Sequence, residues 1–142
     1  MRDNSGPCGV LDKPVREIMS TPVIAASEQD RLLDAVKEMY KSNVGSVVVM
    51  GREGISGILT RKDLVYLIAG GILEKNPRLG DVMSTSIVVA SLNDTIGDVA
   101  RRMNETGVRH IPILRDGEVV GIVSMTDIAR RITEALLYEC KP

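Results

Sequence analysis

Apolar positions along the chain follow a helical period and then a strand period, and this alternation occurs twice. Leu32, Leu33, Ala35, Val36 and Met39 mark one helix face, and Ile96, Val99, Ala100 and Met103 repeat it. Asp30 and Asp94 stand where N-caps belong, and Asn43 and Gly107 are residues that readily close a helix in the left-handed region. After each helix, two β-branched runs flank a polar turn, at 46–50 and 55–59 and again at 110–114 and 119–123. Each pair predicts a hairpin. Short apolar segments at 22–26 and 86–90 predict a buried strand ahead of each helix, and Pro14–Met19 and its equivalent from Arg78 predict a helical turn. Thr60 and Ser124 open second helices, the first ending near Gly70-Gly71 and the last running almost to the C-terminus. Each copy therefore reads β-α-β-β-α, an α+β fold.

The copies align without a gap at an offset of 64 residues, the step from Val15 to Leu79, through Tyr66 and Arg130. About 12 of roughly 52 aligned positions are identical, among them Met19/Met83, Ser20/Ser84, Gly57/Gly121 and Asp63/Asp127. The organisation expected is a mobile or loosely docked tail over 1–13, repeat one over 14–76 and repeat two over 77–138.

Composition narrows the function classes. A length of 142 residues supports one real core, shared between two small repeats. A net charge of −1 offers no basic footprint, and with three Tyr and neither Phe nor Trp there is no stacking platform, so nucleic acid is not an expected partner. No apolar run is long enough to span a bilayer and the N-terminus lacks a signal-peptide pattern, so a cytoplasmic protein without membrane contact is expected. Two Cys and one His exclude a typical structural zinc cluster. Cys8 and Cys140 lie in opposite tails; a disulfide between them needs the termini to meet, and free thiols in a reducing compartment are the alternative.

Candidate chemistry gathers at Thr60-x-x-Asp63 and Ser124-x-x-Asp127. Each reads as a helix capping box. The same aspartate, at the end of a strand, can also accept hydrogen bonds from the vicinal hydroxyls of a ribose, while Gly57 or Gly121 leaves room for close approach. Both readings stand at this level. Met39 and Met103 read as core.

The strands VGSVVV and VRHIPI, with the segments GILTRKD and GIVSMTD, resemble a tandem pair of CBS domains, or Bateman module, over about residues 14–135. The resemblance implies two pseudo-symmetric β-α-β-β-α repeats packed as one module, with two clefts between them that bind an adenosine-containing ligand. It implies AMP first, with ADP, ATP or S-adenosylmethionine as relatives, and no catalytic cofactor. The first cleft would use Ser124, Thr126 and Asp127 for ribose and phosphate. Its adenine wall would be Pro22, Val23, Ile24, Val44, Gly45, Ser46 and Ile122, and Arg109 and His110 would meet phosphate. The second would use Thr60, Lys62 and Asp63, with Ile58, Ser86, Ile87, Val88 and Val108. The first is favoured because Gly45-Ser46 replaces the basic pair in repeat one.

The resemblance further implies a homodimer and a sensor acting on a separate, unknown effector protein. An enzyme is not expected, since no nucleophile–base set, paired acid or phosphate loop is legible. A dimerisation module without ligand remains the structural alternative.

Overall fold

The hairpin read in each repeat is the centre of a three-stranded sheet in the computed structural model of the protein, which describes residues 4–140. In the first repeat β2 (Ser46–Gly51) pairs antiparallel with β3 (Gly54–Thr60), and the short β1 (Ala25–Ser27) runs parallel to β2. In the second, β5 (His110–Arg115) pairs with β6 (Glu118–Ser124), and β4 (Ala90–Ser91) runs parallel to β5. The registers correspond: Val49 faces Gly57 as Ile113 faces Gly121. Helices α1 (Leu32–Ser42), α2 (Arg61–Ala69), the single turn α3 (Leu79–Val82), α4 (Ile96–Thr106) and α5 (Met125–Glu134) complete the order, with a π-helical turn at Ala135–Glu139. Asn43 (φ 52°) and Gly107 (φ 79°) close α1 and α4 in the left-handed region, as their residue types led one to expect.

Two local expectations are corrected. The segments at 22–26 and 86–90 are not buried strands: pairing begins only at Ala25 and Ala90, and Pro22, Ala25, Ser86 and Val89 are exposed. Each is an edge strand with one neighbour. β4 is shorter than β1 for a covalent reason. The Val48 amide donates to the Ile24 carbonyl at 2.9 Å. Pro112 stands at the corresponding place in β5 and has no N–H to offer Val88.

Nor are Asp30 and Asp94 N-caps. Each carboxylate accepts from the amide three residues earlier, Ser27 at 2.9 Å and Ser91 at 2.8 Å, and so closes the turn leading into the helix. The N-cap of α4 is Thr95, in a capping box with Asp98. The N-cap of α1 is Arg31, which has no capping oxygen. There the Leu33 amide donates instead to Asn76 Oδ1 at 2.9 Å.

The sequence repeats and the compact units are different partitions of the chain. One unit joins Met1–Pro22 to Val88–Pro142; the other is Val23–Ile87. In the first, Ser20 and Ile122 exchange backbone hydrogen bonds at 2.8 and 3.2 Å; in the second, Ile58 and Ser84 do so at 3.0 and 2.9 Å. The segment ahead of each first helix therefore pairs with the hairpin of the other repeat.

Each unit has its own core. Val10, Val15, Ile96, Val99, Met103, Ile111, Ile113 and Val123 fill one, and Leu32, Met39, Val47, Val49, Leu59 and Leu79 the other. Met39 and Met103 are both buried, as expected. The expected loose tail is corrected from residue 4 onward. Pro7–Asp12 is a 3-10 segment, Val10 is fully buried, and the Leu11 carbonyl lies against Gly97 of α4. Val10 is too isolated among Gly and Pro to register as a periodic apolar position. The described ends meet in a Cys8–Cys140 disulfide with Cα atoms 5.4 Å apart.

Candidate functional site

Each β-strand that leads into a second helix ends on a hydroxyl residue, and the helix caps itself with that hydroxyl. At the end of β6 the Ser124 amide and hydroxyl both donate to Asp127 Oδ2, at 2.7 and 3.0 Å, while the Asp127 amide donates to Ser124 Oγ at 3.2 Å. At the end of β3 the Thr60 amide and hydroxyl donate to Asp63 Oδ2 at 2.9 and 3.1 Å, and the Asp63 amide donates back at 3.4 Å. The capping reading thus holds in both copies. Both aspartates are half-buried. Among the described residues, Oδ1 of neither carries a hydrogen bond. One charged acceptor therefore remains at each site, fixed in direction by its own helix cap. The Ser124 and Thr60 hydroxyls thus both donate to the carboxylates they cap with.

Neighbouring residues are brought to these caps by backbone bonds. The Met125 amide donates to the Arg109 carbonyl at 2.9 Å, and the Arg61 amide to the Gly45 carbonyl at 3.2 Å. His110 faces Ser124 across the sheet, and Ser46 faces Thr60. Arg109 is exposed and His110 half-buried, whereas Ser46 is buried at 7% exposure.

The room at Gly121 and Gly57 is taken by protein. A Cβ on Gly121 would meet the Met19 side chain; one on Gly57 would meet Met83 and, at 2.9 Å, the Ser84 carbonyl. That corrects the expectation that these glycines open space for a ligand. They let the exchanged segments lie flat on the hairpins.

Of the residues read from sequence, one unit holds Pro22, Val88, Val108, Arg109, His110, Ile122, Ser124, Thr126 and Asp127. The other holds Val23, Ile24, Val44, Gly45, Ser46, Ile58, Thr60, Lys62, Asp63, Ser86 and Ile87. Ser20 bridges Ile122 and Ser84 bridges Ile58, both antiparallel, two residues along the chain from Pro22 and Ser86. Val44, Gly45 and Ser46 adjoin the Thr60/Asp63 cap of their own unit. Sequence reasoning missed the Met19–Gly121 and Met83–Gly57 contacts, although both pairs stand among the repeat identities.

Asp98, in the third capping box, is held below the ordinary carboxylate range by the Thr95 amide and hydroxyl, with Arg101 adding to the effect. Among the described residues no group of three or more His, Cys, Asp or Glu is placed to hold a metal. No helix there is long and apolar enough to cross a membrane.

Comparison with known proteins bears on the same residues. The CBS domain family model matches residues 15–70 and 79–134. A relative described as uncharacterized protein MJ1225 of Methanocaldococcus jannaschii is 29% identical over 121 residues, covering 84% of this chain and 43% of its own, so this chain spans less than half of that protein. Hypoxic response protein 1 of Mycobacterium tuberculosis is 30% identical over 126 residues, covering 87% of this chain and 88% of its own. Among solved structures, the CBS domain pair of protein MJ0100, described in complex with 5-methylthioadenosine and S-adenosyl-L-methionine, superposes with a TM-score of 0.74 at 26% identity. It covers 84% of this chain and 98% of its own.

Proposed function

The chain belongs to the CBS-domain family, and on that premise we propose that it is a regulatory module that binds an adenosine-containing ligand and catalyses no reaction. The observation that carries the reading is the Asp127 carboxylate, fixed through Oδ2 by its own helix cap at a strand–helix junction beside Arg109 and His110. An acceptor of this kind suits one hydroxyl of a ribose, and the basic pair suits a phosphate. AMP is the favoured ligand, with ADP and ATP as relatives. Pro22 and Ile122 would flank the base, Asp127 would take the ribose, and Thr126, Arg109 and His110 would meet the phosphate. Ile58, Lys62, Asp63, Ser86 and Ile87 would form the corresponding set in the other unit, with less positive charge near its strand start.

The ligands of the MJ0100 pair support a second reading, S-adenosylmethionine or a related thioether nucleoside. The two separate by the phosphate, which S-adenosylmethionine and its thioether relatives lack and which Arg109 and His110 would meet in AMP. We also propose a cytoplasmic homodimer that acts on a separate effector protein. The exposed Val65, Tyr66 and Ile68 of α2 support the dimer.

Titration calorimetry with AMP, ATP and S-adenosylmethionine tests the reading. Asp127→Asn keeps an oxygen for the Ser124 cap but can turn a donor outward. It should weaken binding by roughly tenfold to a hundredfold, the worth of one charge-assisted hydrogen bond. Arg109→Ala should weaken AMP more than S-adenosylmethionine, which has no phosphate to lose. Absence of binding by all three ligands to the wild type would sink the proposal.

A further inference from the structure

We infer that the Cys8–Cys140 disulfide is a redox-operated clasp on the two ends of the unit that carries Asp127, opened by a dithiol reductant. The inference is independent of the ligand reading. The bond joins positions whose Cα atoms are 5.4 Å apart, within the usual range for a disulfide. Cys8 is exposed and Cys140 only half-buried, so a thiolate from solvent can reach the bond.

On the Cys8 side the Gly9 amide donates to the Gly6 carbonyl at 3.1 Å and the Leu11 amide to the Ser5 carbonyl at 2.6 Å. Gly6, Cys8 and Gly9 all adopt left-handed backbone, with φ of 75°, 54° and 72°, a region that disfavours Cys8 because it carries a Cβ. On the other side, Leu136, Leu137 and Tyr138 of the π-helical turn are exposed at 59, 65 and 79%, so they contribute no packing within the chain. The turn is held by its own helical backbone, by the Cys140 amide donating to the Ala135 carbonyl at 2.8 Å and by a two-pronged ion pair of the largely buried Arg131 with Glu139 at 3.0 Å. Val10 and Ala135, both fully buried, mark where the anchored core begins. Outside them the disulfide ties the two segments to each other covalently, while these backbone hydrogen bonds are local to each segment.

The exchange balances with a dithiol as co-reactant. Its thiolate attacks Cys8 Sγ, the S–S bond breaks, and Cys140 leaves as a thiolate that takes a proton. The reductant's second thiol then attacks the mixed disulfide and returns Cys8 as a thiol. Two electrons pass to the protein and the reductant departs as its own disulfide. Closure reverses these steps with a disulfide oxidant.

The test is 15N relaxation on the whole chain, with and without dithiothreitol. After oxidation by glutathione disulfide, alkylation and mass analysis should find no free thiol. Reduction should then lower order parameters at Gly6–Gly9 and at Leu136–Cys140 from about 0.85 to below about 0.6, while Val15, Ile96 and Ile113 keep the higher value. Cys8→Ser should behave as the reduced protein under both conditions. Two alkylated thiols after oxidation would overturn the clasp, as would order parameters unchanged by reduction.

Discussion

Among the described residues three capping boxes share the same reciprocal pair of amide hydrogen bonds, and their surroundings give them different roles. Thr60/Asp63 and Ser124/Asp127 close the strand–helix junctions, whereas Thr95/Asp98 opens α4 at the end of a turn. The first two were legible as hydroxyl-x-x-aspartate motifs. The third has the same spacing but was overlooked because Asp94, one residue earlier, is also a capping type. Its carboxylate is drawn instead to the Ser91 amide and, at 2.6 Å, to Arg102. Thr95→Ala removes the cap and should lower stability in urea by about 1 kcal/mol at neutral pH. The sign of the pH dependence follows from the lowered pKa of Asp98. A carboxyl depressed in the folded state contributes stability that is fully present above the unfolded value of about 3.9 and lost as pH falls through the folded one. The gap between wild type and Thr95→Ala should therefore narrow on acidification below about pH 4. A gap that is constant or widens in acid would contradict this assignment of Asp98.

Among the elements, the strongest periodicities gave the most faithful readings. The α1 and α4 faces, both hairpins and the second helices lie where the apolar pattern puts them, because each buries one side on its own sheet. Pairings between distant segments left no periodic trace. Nothing in the run from Asn76 to Leu79 announces that it covers the start of α1, yet the Leu32 amide donates to the Pro77 carbonyl at 2.8 Å and the Leu33 amide to Asn76 Oδ1. Asn76 holds a left-handed backbone (φ 44°), which asparagine tolerates better than most residues. It caps α1 from a separate stretch of chain, taking the second-position amide where Thr95 takes the third-position amide of α4. Asn76→Ala should then cost about 1 kcal/mol, the usual worth of a cap. Arg31→Thr, which recreates Thr-x-x-Asp with Asp34, should recover most of that loss in the Asn76→Ala background. It should add little when Asn76 is present. Urea denaturation of the two single variants and the double variant reads this as a cycle, and equal effects of Arg31→Thr in both backgrounds would show that the two caps are not interchangeable.

At the scale of the whole molecule, the duplication was legible from identities at a fixed offset, but the exchange of the two lead-in segments was not. Met19/Met83, Ser20/Ser84 and Gly57/Gly121 are identities that an exchanged and an unexchanged arrangement would share equally. The meeting of the two ends was equally hidden, since a disulfide across 132 residues requires the fold itself to bring Cys8 and Cys140 together. That separation sets how strongly the bond acts on the unfolded chain. Closing nearly the whole polypeptide into a ring removes chain entropy worth about 5 kcal/mol in the loop-closure model, and native disulfides commonly contribute about 2–4 kcal/mol. Reduction should thus lower the urea midpoint markedly. It should also steepen the transition, because the unfolded chain expands once the ring is cut. The unit Val23–Ile87 lies entirely inside the ring. If it stays folded while the other unit opens, the effective loop is shorter. Loop entropy depends only logarithmically on length, so halving the loop changes the contribution by about 0.6 kcal/mol. The destabilisation on reduction should therefore persist whether the two units unfold together or in sequence, and a midpoint unmoved by reductant would show that the bond does not restrain the unfolded chain.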